Sequence, residues 1–391
     1  VISSNFTSGT AFATVDLTGP SGQAFNASEI YDIHATSDAL FVLLTNGTVW
    51  VATNGQVSGT GGPNGNANTD GNVWQQVQTS SGVPLTGVTQ VTGTKISGYA
   101  LTESGAIYAW GNQINLGDGS AAQNLTYATQ MTAPPSAIRY VTAIYHNGTT
   151  SGVLALGTDK KVYGVGANTS GKVINDLTTN VTSWEAIKKD ATTDLTGVVL
   201  LSSSHTSEEW AGAAVVVEAD ATSGGYPYIM AWGHNNLNSL ADGTDQIFEY
   251  PIVPLSFTKG TDDPSSISVG GHAITYFNKA LGSICFAGHI TNDSTGGLTS
   301  GTGDTFECVI PNNVELCGLQ SIQPQKDEGT IKQGVGGTAI TNVVANDFLN
   351  GVFAPVIGTG TGQITLTQTS STNAGVVLNP ATGEITVTAA V

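Results

Sequence analysis

Histidine is the side chain most able to move a proton near neutral pH. This chain has six, His34, His146, His205, His234, His272 and His289. None belongs to a His-Glu-x-x-His pair, and no Gly-x-Ser-x-Gly turn or phosphate loop accompanies them. The adjacent acids Glu208-Glu209 and Asp262-Asp263 lie in polar, loop-like surroundings, where solvated carboxylates are far commoner than a glycosidase pair. Gly358-Thr-Gly-Thr-Gly362 has no helix behind it to complete a phosphate cradle. Asp70, Asp118 and Asp242 each precede a glycine, which is turn chemistry first and calcium chemistry second. Among the aromatics, Trp74, Trp184 and Trp210 fall between apolar runs. Exposed indoles beside Asn, Thr and Asp would suit a sugar ring, and His234 and His289 would add polar contacts. Packing between repeats is the commoner use of such tryptophans.

The three cysteines are too scattered for a metal site. Cys308 and Cys317 flank Val-Ile-Pro-Asn-Asn-Val-Glu-Leu. A hairpin turning at Pro311 to Asn313 would bring them together as a disulfide, the alternative being two reduced thiols. Cys285 reads as a core residue.

The elements that carry these residues repeat. Tyr99–Ser120 reads as two short strands, Tyr99 to Leu101 and Ala106 to Trp110, joined at Glu103-Ser104-Gly105 and followed by the bend Leu116-Gly-Asp-Gly119. Similar hairpins end at Thr53, Gly111, Gly166, Gly233 and Gly288, at intervals of 58, 55, 67 and 55 residues. The long interval holds an insertion at Asp220 to Tyr226. Hairpins at such a period, apolar on both faces and without a helical pattern, indicate four-stranded blades that must stack to be buried. The pattern in Tyr99–Ser120, with Ile229-Met-Ala-Trp-Gly-His-Asn235, resembles the regulator of chromosome condensation repeat over roughly residues 29 to 318. That resemblance implies an all-β propeller, five blades being recognisable where family members carry about seven. The family often has a histidine ahead of the first hairpin strand, where His34, His146, His205 and His272 stand. There the role is structural, a bond to neighbouring-blade backbone. The strand-like Ala11 to Leu17 is expected to complete the last blade.

The reading places the propeller at 1–318, a polar linker at 319–337 and a second module at 338–391. The last stretch resembles, through Val343-Val-Ala-Asn-Asp-Phe348 and Val376 to Val387, the immunoglobulin- or cadherin-like modules of Bacteroidota surface adhesins, including those of gliding motility. That resemblance implies an incomplete β-sandwich, completed either in a longer parent chain or by another segment, export by type IX secretion, and calcium at Asp347. No other cofactor is expected.

A formal charge of −18, from 11 Lys plus Arg against 29 Asp plus Glu, repels nucleic acid and anionic membranes. No apolar run reaches transmembrane length. The expectation is a non-enzymatic, secreted cell-surface protein, its leader removed, that works in adhesion or surface assembly. Its propeller loops would meet a surface glycan or protein partner. The alternatives are a glycan-binding lectin-like module and a polysaccharide-active enzyme.

Overall fold

The computed structural model describes residues 17–19, 22–36, 39–53, 74–146, 150–168, 174, 179–204, 212–235, 240–244, 246–270, 273–290, 301–309, 322–323, 327–331, 335–349, 352–353, 356–359, 363–368, 371 and 375–388. The chain divides into two compact units, Val1–Ile310 and Pro311–Val391.

Each repeated hairpin becomes the middle pair of a four-stranded antiparallel sheet, five such sheets being present among the described residues. The first sheet holds Ile30–Ala35, Ala39–Leu44, Val49–Thr53 and Gln75–Gln76. The second holds Val88–Gly93, Ser97–Thr102, Ile107–Ile114 and Gln123–Gln130. The third holds Ile138–His146, Thr150–Gly157, Val162–Gly166 and Val181–Ala186. Val198–Ser203, Gly212–Val217, Tyr228–Gly233 and Phe248–Ile252 form the fourth. Pro264–Val269, Ala273–Asn278, Ser283–Ile290 and Gly301–Val309 form the fifth.

The register agrees in all five. Ala39 faces Thr53, Ser97 faces Gly111, Gly152 faces Gly166, Gly212 faces Gly233, and Ala273 faces Gly288. The four glycines have φ between +100° and +106°, a region that disfavours any side chain. A Cβ on Gly111 would strike the carbonyl oxygen of Ile96, and one on Gly166 would lie 2.5 Å from the Gly152 Cα. Opposite Trp110, Gly98 leaves room for the indole, which crosses the strand over it.

Side chains alternate between two faces, and each sheet shares one face with its successor. Phe41, Leu43, Val49 and Val51 pack with Val91, Ala100 and Trp110 of the second sheet. Tyr99, Leu101, Ile107 and Ala109 pack with Val141, Val153, Ala155 and Val165 of the third. Leu154, Leu156 and Val162 open a core that continues through the fourth and fifth sheets. Trp110 and Trp232 are wholly buried. In the fourth sheet the insertion is tied down by Asp220, which accepts from the Thr222 amide at 2.7 Å and the Tyr228 hydroxyl at 2.9 Å. Those bonds, those to Thr222 foremost, hold its carboxyl at about 2.

Three expectations change. The disulfide joins Cys285 to Cys308, not Cys308 to Cys317. The two cysteines stand opposite each other on neighbouring strands of the fifth sheet, with Cα atoms 4.0 Å apart. Cys308 thus sits inside a fourth strand rather than at the start of a new hairpin, while Cys317 lies outside the described residues. The fifth sheet takes all four strands from residues 264–309, so Ala11 to Leu17 is not needed to complete it. Residues 11–16 lie outside the described residues. Finally, the boundary falls after Ile310 rather than 318, and Ile322–Gln323, inside the stretch read as linker, is a strand paired with Phe348–Leu349.

The second unit has two three-stranded sheets among its described residues. One joins Ile322–Gln323, Phe348–Leu349 and Val352–Phe353; the other joins Gly337–Ile340, Ile385–Val387 and Val376–Leu378. The Asn-Pro-Ala-Thr-Gly turn forms as its residue types indicate, with Gly383 at φ +73° and its amide on the Asn379 carbonyl. The stretch 363–368 is not a ladder strand; Ile364 makes an isolated bridge to Ile357.

Two measurements check this architecture. Gly111→Ala is expected to destabilise the protein by roughly 2 to 3 kcal/mol in urea unfolding, and Thr53→Gly by far less. A peptide map of the unreduced protein is expected to yield the Cys285–Cys308 cross-link.

Candidate binding site on the innermost strands

The first strands of successive sheets converge. They lie against one another from sheet to sheet, which makes them the innermost strands. Each carries a β-bulge at one place, at Tyr31, Thr89, Arg139, Val199 and Ser265. A bulge inserts one unpaired residue and re-aims those that follow.

Beyond the bulge, a side chain of one inner strand bonds the next inner strand. His34 Nε2 lies 3.1 Å from the Gly93 carbonyl oxygen. The Ala143 amide donates to Thr92 Oγ1 at 3.1 Å. Thr142 Oγ1 and Ser203 Oγ are 3.0 Å apart, and the Val269 amide donates to Ser202 Oγ at 3.0 Å. His34, Thr92, Thr142 and Ser202 are register equivalents, and so are their partners Gly93, Ala143, Ser203 and Val269. The backbone role expected of the repeat histidines is therefore filled by His34. The side chains of His146, His205 and His272 lie outside the described residues.

The residues directly after the bulge are Asp32, Gln90, Tyr140, Leu200 and Ser266. Gln90 pairs with the Val141 main chain, donating to its carbonyl and accepting from its amide, both at 2.9 Å. Burial and the Asp32 carboxylate push the Tyr140 hydroxyl above its ordinary pKa, while a bond to Gln90 pulls the other way. Tyr140 still exposes 36% of its surface, and Tyr31 on the first bulge exposes 64%. Arg139, the chain's single arginine, spends Nη2 on the Val198 and Val199 carbonyls at 3.1 and 3.0 Å, and burial lowers its pKa. A carboxylate, an amide and two phenols thus share the inner rim with an aliphatic and a hydroxyl. The set can accept, donate and stack.

The sequence did not single these residues out, because a bulge leaves no residue-type signature. The alignment of the hairpins extended one strand upstream would have shown that Asp32, Gln90 and Tyr140 share a register position.

The residues that sequence reasoning did single out go elsewhere. Trp74 is 2% exposed and meets Phe25 edge-on, with ring centroids 5.1 Å apart. Trp184 donates to the Thr132 carbonyl at 2.7 Å, and its ring closes on Gly117 so tightly that a Cβ there would lie 2.5 Å from Nε1. Both indoles are core side chains whose faces are covered, which corrects their placement as surface sugar platforms. Trp210 lies outside the described residues. His234 is half-buried after its strand-ending glycine, and His289 continues a strand of the fifth sheet. Asp118 and Asp242 close turns on Ser120 and Thr244, whose amides each donate at 2.9 Å. Asp242 also accepts from the buried Asn235, whose Oδ1 takes the Leu240 amide at 2.6 Å.

In the second unit Asp347 is 7% exposed. Burial first, and then its charge, raise the pKa of Asp327, which also bonds Asn346. Two carboxylates and an amide are hard oxygen donors of the kind calcium takes. Among the described residues no group of three or more His, Cys, Asp or Glu is placed to hold a metal ion.

No protein-family model matches the sequence, and no curated protein does. Solved structures match the fold. Human WBSCR16 superposes with a TM-score of 0.54 at 14% identity, over 72% of this chain and 67% of that one. Yeast RCC1 (Prp20) bound to Kap60 gives 0.51 at 15% identity, over 76% and 63%. Prp20p of Saccharomyces cerevisiae, studied for its binding to Gsp1p and histones, gives 0.50 at 14% identity, over 76% and 66%. The fold is an RCC1-like β-propeller. The five sheets are its blades, and the chain spans about two thirds of the length of these neighbours. At these identities the likeness is one of fold alone.

The acid pair offers a titration test. A carboxyl raised above 3.8 favours the folded unit fully at pH below 3.8, and that stabilisation is lost as pH rises through the folded value. Asp347→Asn is expected to lower the Asp327 pKa in an NMR titration and to reduce that loss.

Proposed function

We propose that the propeller is a non-enzymatic binding module of a secreted bacterial surface protein, working in adhesion or surface assembly with another protein as partner. The observation that carries this reading is the inner rim, where Tyr31, Asp32 and Tyr140 are exposed on strands locked to one another by hydrogen bonds. Rigid support under exposed aromatics is what a contact face needs. Its carboxylate, amide and phenols can accept, donate and stack, which suits recognition. The charge of −18 would steer the module toward basic or neutral partners. Yeast RCC1 bound to Kap60 supports a protein partner by analogy of fold. The adhesin setting rests on the likeness of residues 338–391 to Bacteroidota surface modules.

A glycan reading has one observation of its own: Tyr140 stands beside Asp32 and Gln90, an aromatic next to a carboxylate and an amide. Labelled protein binding to cells of the source organism separates the two. Tyr140→Ala and Asp32→Asn are each expected to weaken binding about tenfold or more with the circular dichroism spectrum unchanged. Unchanged binding by both variants would rule out the rim. Cell binding with silence on a glycan array assigns the rim to protein, whereas array hits lost in the same variants assign it to glycan.

A further inference from the structure

Gln90 shows what an inner strand takes from the side chain set against it. Its amide nitrogen donates to the Val141 carbonyl and its oxygen accepts from the Val141 amide, both at 2.9 Å. One blade earlier the same register positions hold Asp32 and Val91. An ionised carboxylate has acceptors only. It could serve the main-chain N–H of Val91 but has no proton to give the carbonyl. The Asp32 side chain accepts instead from the amide of its own neighbour, Ile33, at 2.8 Å. It is exposed, and no lysine or arginine among the described residues forms an ion pair with it. Carboxylates set between blades elsewhere do have such partners. Glu218 meets Lys160 at 2.5 Å, and Asp194 meets Lys161 at 2.8 Å.

Two neighbours indicate what would complete the position. Tyr140, two blades on, stands near enough for the Asp32 charge to act on its phenol, and 36% of its surface stays open. Arg139 shows which donor the inner-strand carbonyls accept, since its Nη2 donates to those of Val198 and Val199 at 3.1 and 3.0 Å. A guanidinium is planar, carries its N–H donors in a fixed fork and stacks on aromatic faces. An ammonium is a compact, strongly hydrated point charge with no plane to stack. Arg139 is the chain's single arginine and is already spent on the fourth blade, so a second copy of this chain has none to offer.

We propose that Asp32 receives an arginine side chain of the protein partner, its guanidinium donating to the Asp32 carboxylate and the Val91 carbonyl and lying against the Tyr140 ring. This rests on the reading of the rim as a protein-binding face and names the group that the face reads. Such a fork gives each acceptor the proton it lacks, as the Gln90 amide does for Val141. The charge of −18 draws a cation toward the site.

Fluorine NMR tests it. The protein is made with 3-fluorotyrosine in place of tyrosine, and the Tyr140 signal is identified by its loss in Tyr140→Phe. It is then titrated with Nα-acetyl-arginine amide, with the lysine analogue and with the neutral citrulline analogue. The arginine amide is expected to shift the Tyr140 signal saturably at roughly millimolar concentration, and the other two to bind about tenfold more weakly or less. Asp32→Asn is expected to weaken the arginine response about tenfold while the other fluorotyrosine signals hold their places, which shows the fold kept. Equal binding by the lysine or citrulline analogue would overturn the proposal. So would a Tyr140 signal that none of the three shifts, or a response that Asp32→Asn leaves unchanged. If one of these results came with cell binding still weakened in Tyr140→Ala, the rim would stand as the binding face with a different occupant. Cell binding unchanged in both rim variants would remove the face itself.

Discussion

A sheet apolar on both faces is stable only between two neighbours, and this constraint governs the first unit. Each blade has a face for the one before and a face for the one after. The two are not interchangeable. The onward face presents Leu43, Leu101, Leu156 or Val216 to the core, and its inner strand offers a hydroxyl or imidazole to the next main chain. Burial drives the stacking. The polar bonds fix how far one blade is turned and slid against the next, because those from His34, Thr92 and Ser202 satisfy main-chain groups of the next inner strand. Glycines at the common register position take positive φ, and at Gly111 and Gly166 a side chain would strike the neighbouring strand; Gly111 and Gly288 lie inside strands that run on to Ile114 and Ile290.

Much of this was legible in the residues. The hairpins and the five blades recognised from them follow from turn chemistry and apolar alternation, and the register places Trp50 level with Tyr108. What the sequence concealed has physical causes. Cross-strand pairing of Cys285 with Cys308 depends on which strand lies beside which, and a hairpin turn nearer in sequence offered a shorter loop. The tryptophans between hairpins are buried because the segment after each hairpin returns as the sheet's fourth strand: Trp184 lies within Val181–Ala186, and Trp74 directly precedes Gln75–Gln76. The bulge on each inner strand, which sets out the rim, has no composition of its own. It occurs at Tyr31, Thr89, Arg139, Val199 and Ser265, five residues of five kinds.

The same arrangement that gives the propeller its rigidity gives it a surface to work with. Inner strands bound to one another cannot splay, so Asp32, Gln90 and Tyr140 are held in fixed relation although they come from three blades. A ligand of the kind proposed would lose little to ordering the protein. Of the side chains that follow the bulge, Gln90 is itself one of the ties between strands, bonding both main-chain groups of Val141.

The account rests on the inner-strand bonds coupling each blade to the next, and amide hydrogen exchange reads this directly. In Thr92→Val the Ala143 amide is predicted to exchange about tenfold faster, and in Ser202→Ala the Val269 amide likewise, with amides of the mutated blade unchanged. Exchange that stays constant at Ala143 and Val269, or that rises uniformly through the protein, would contradict it.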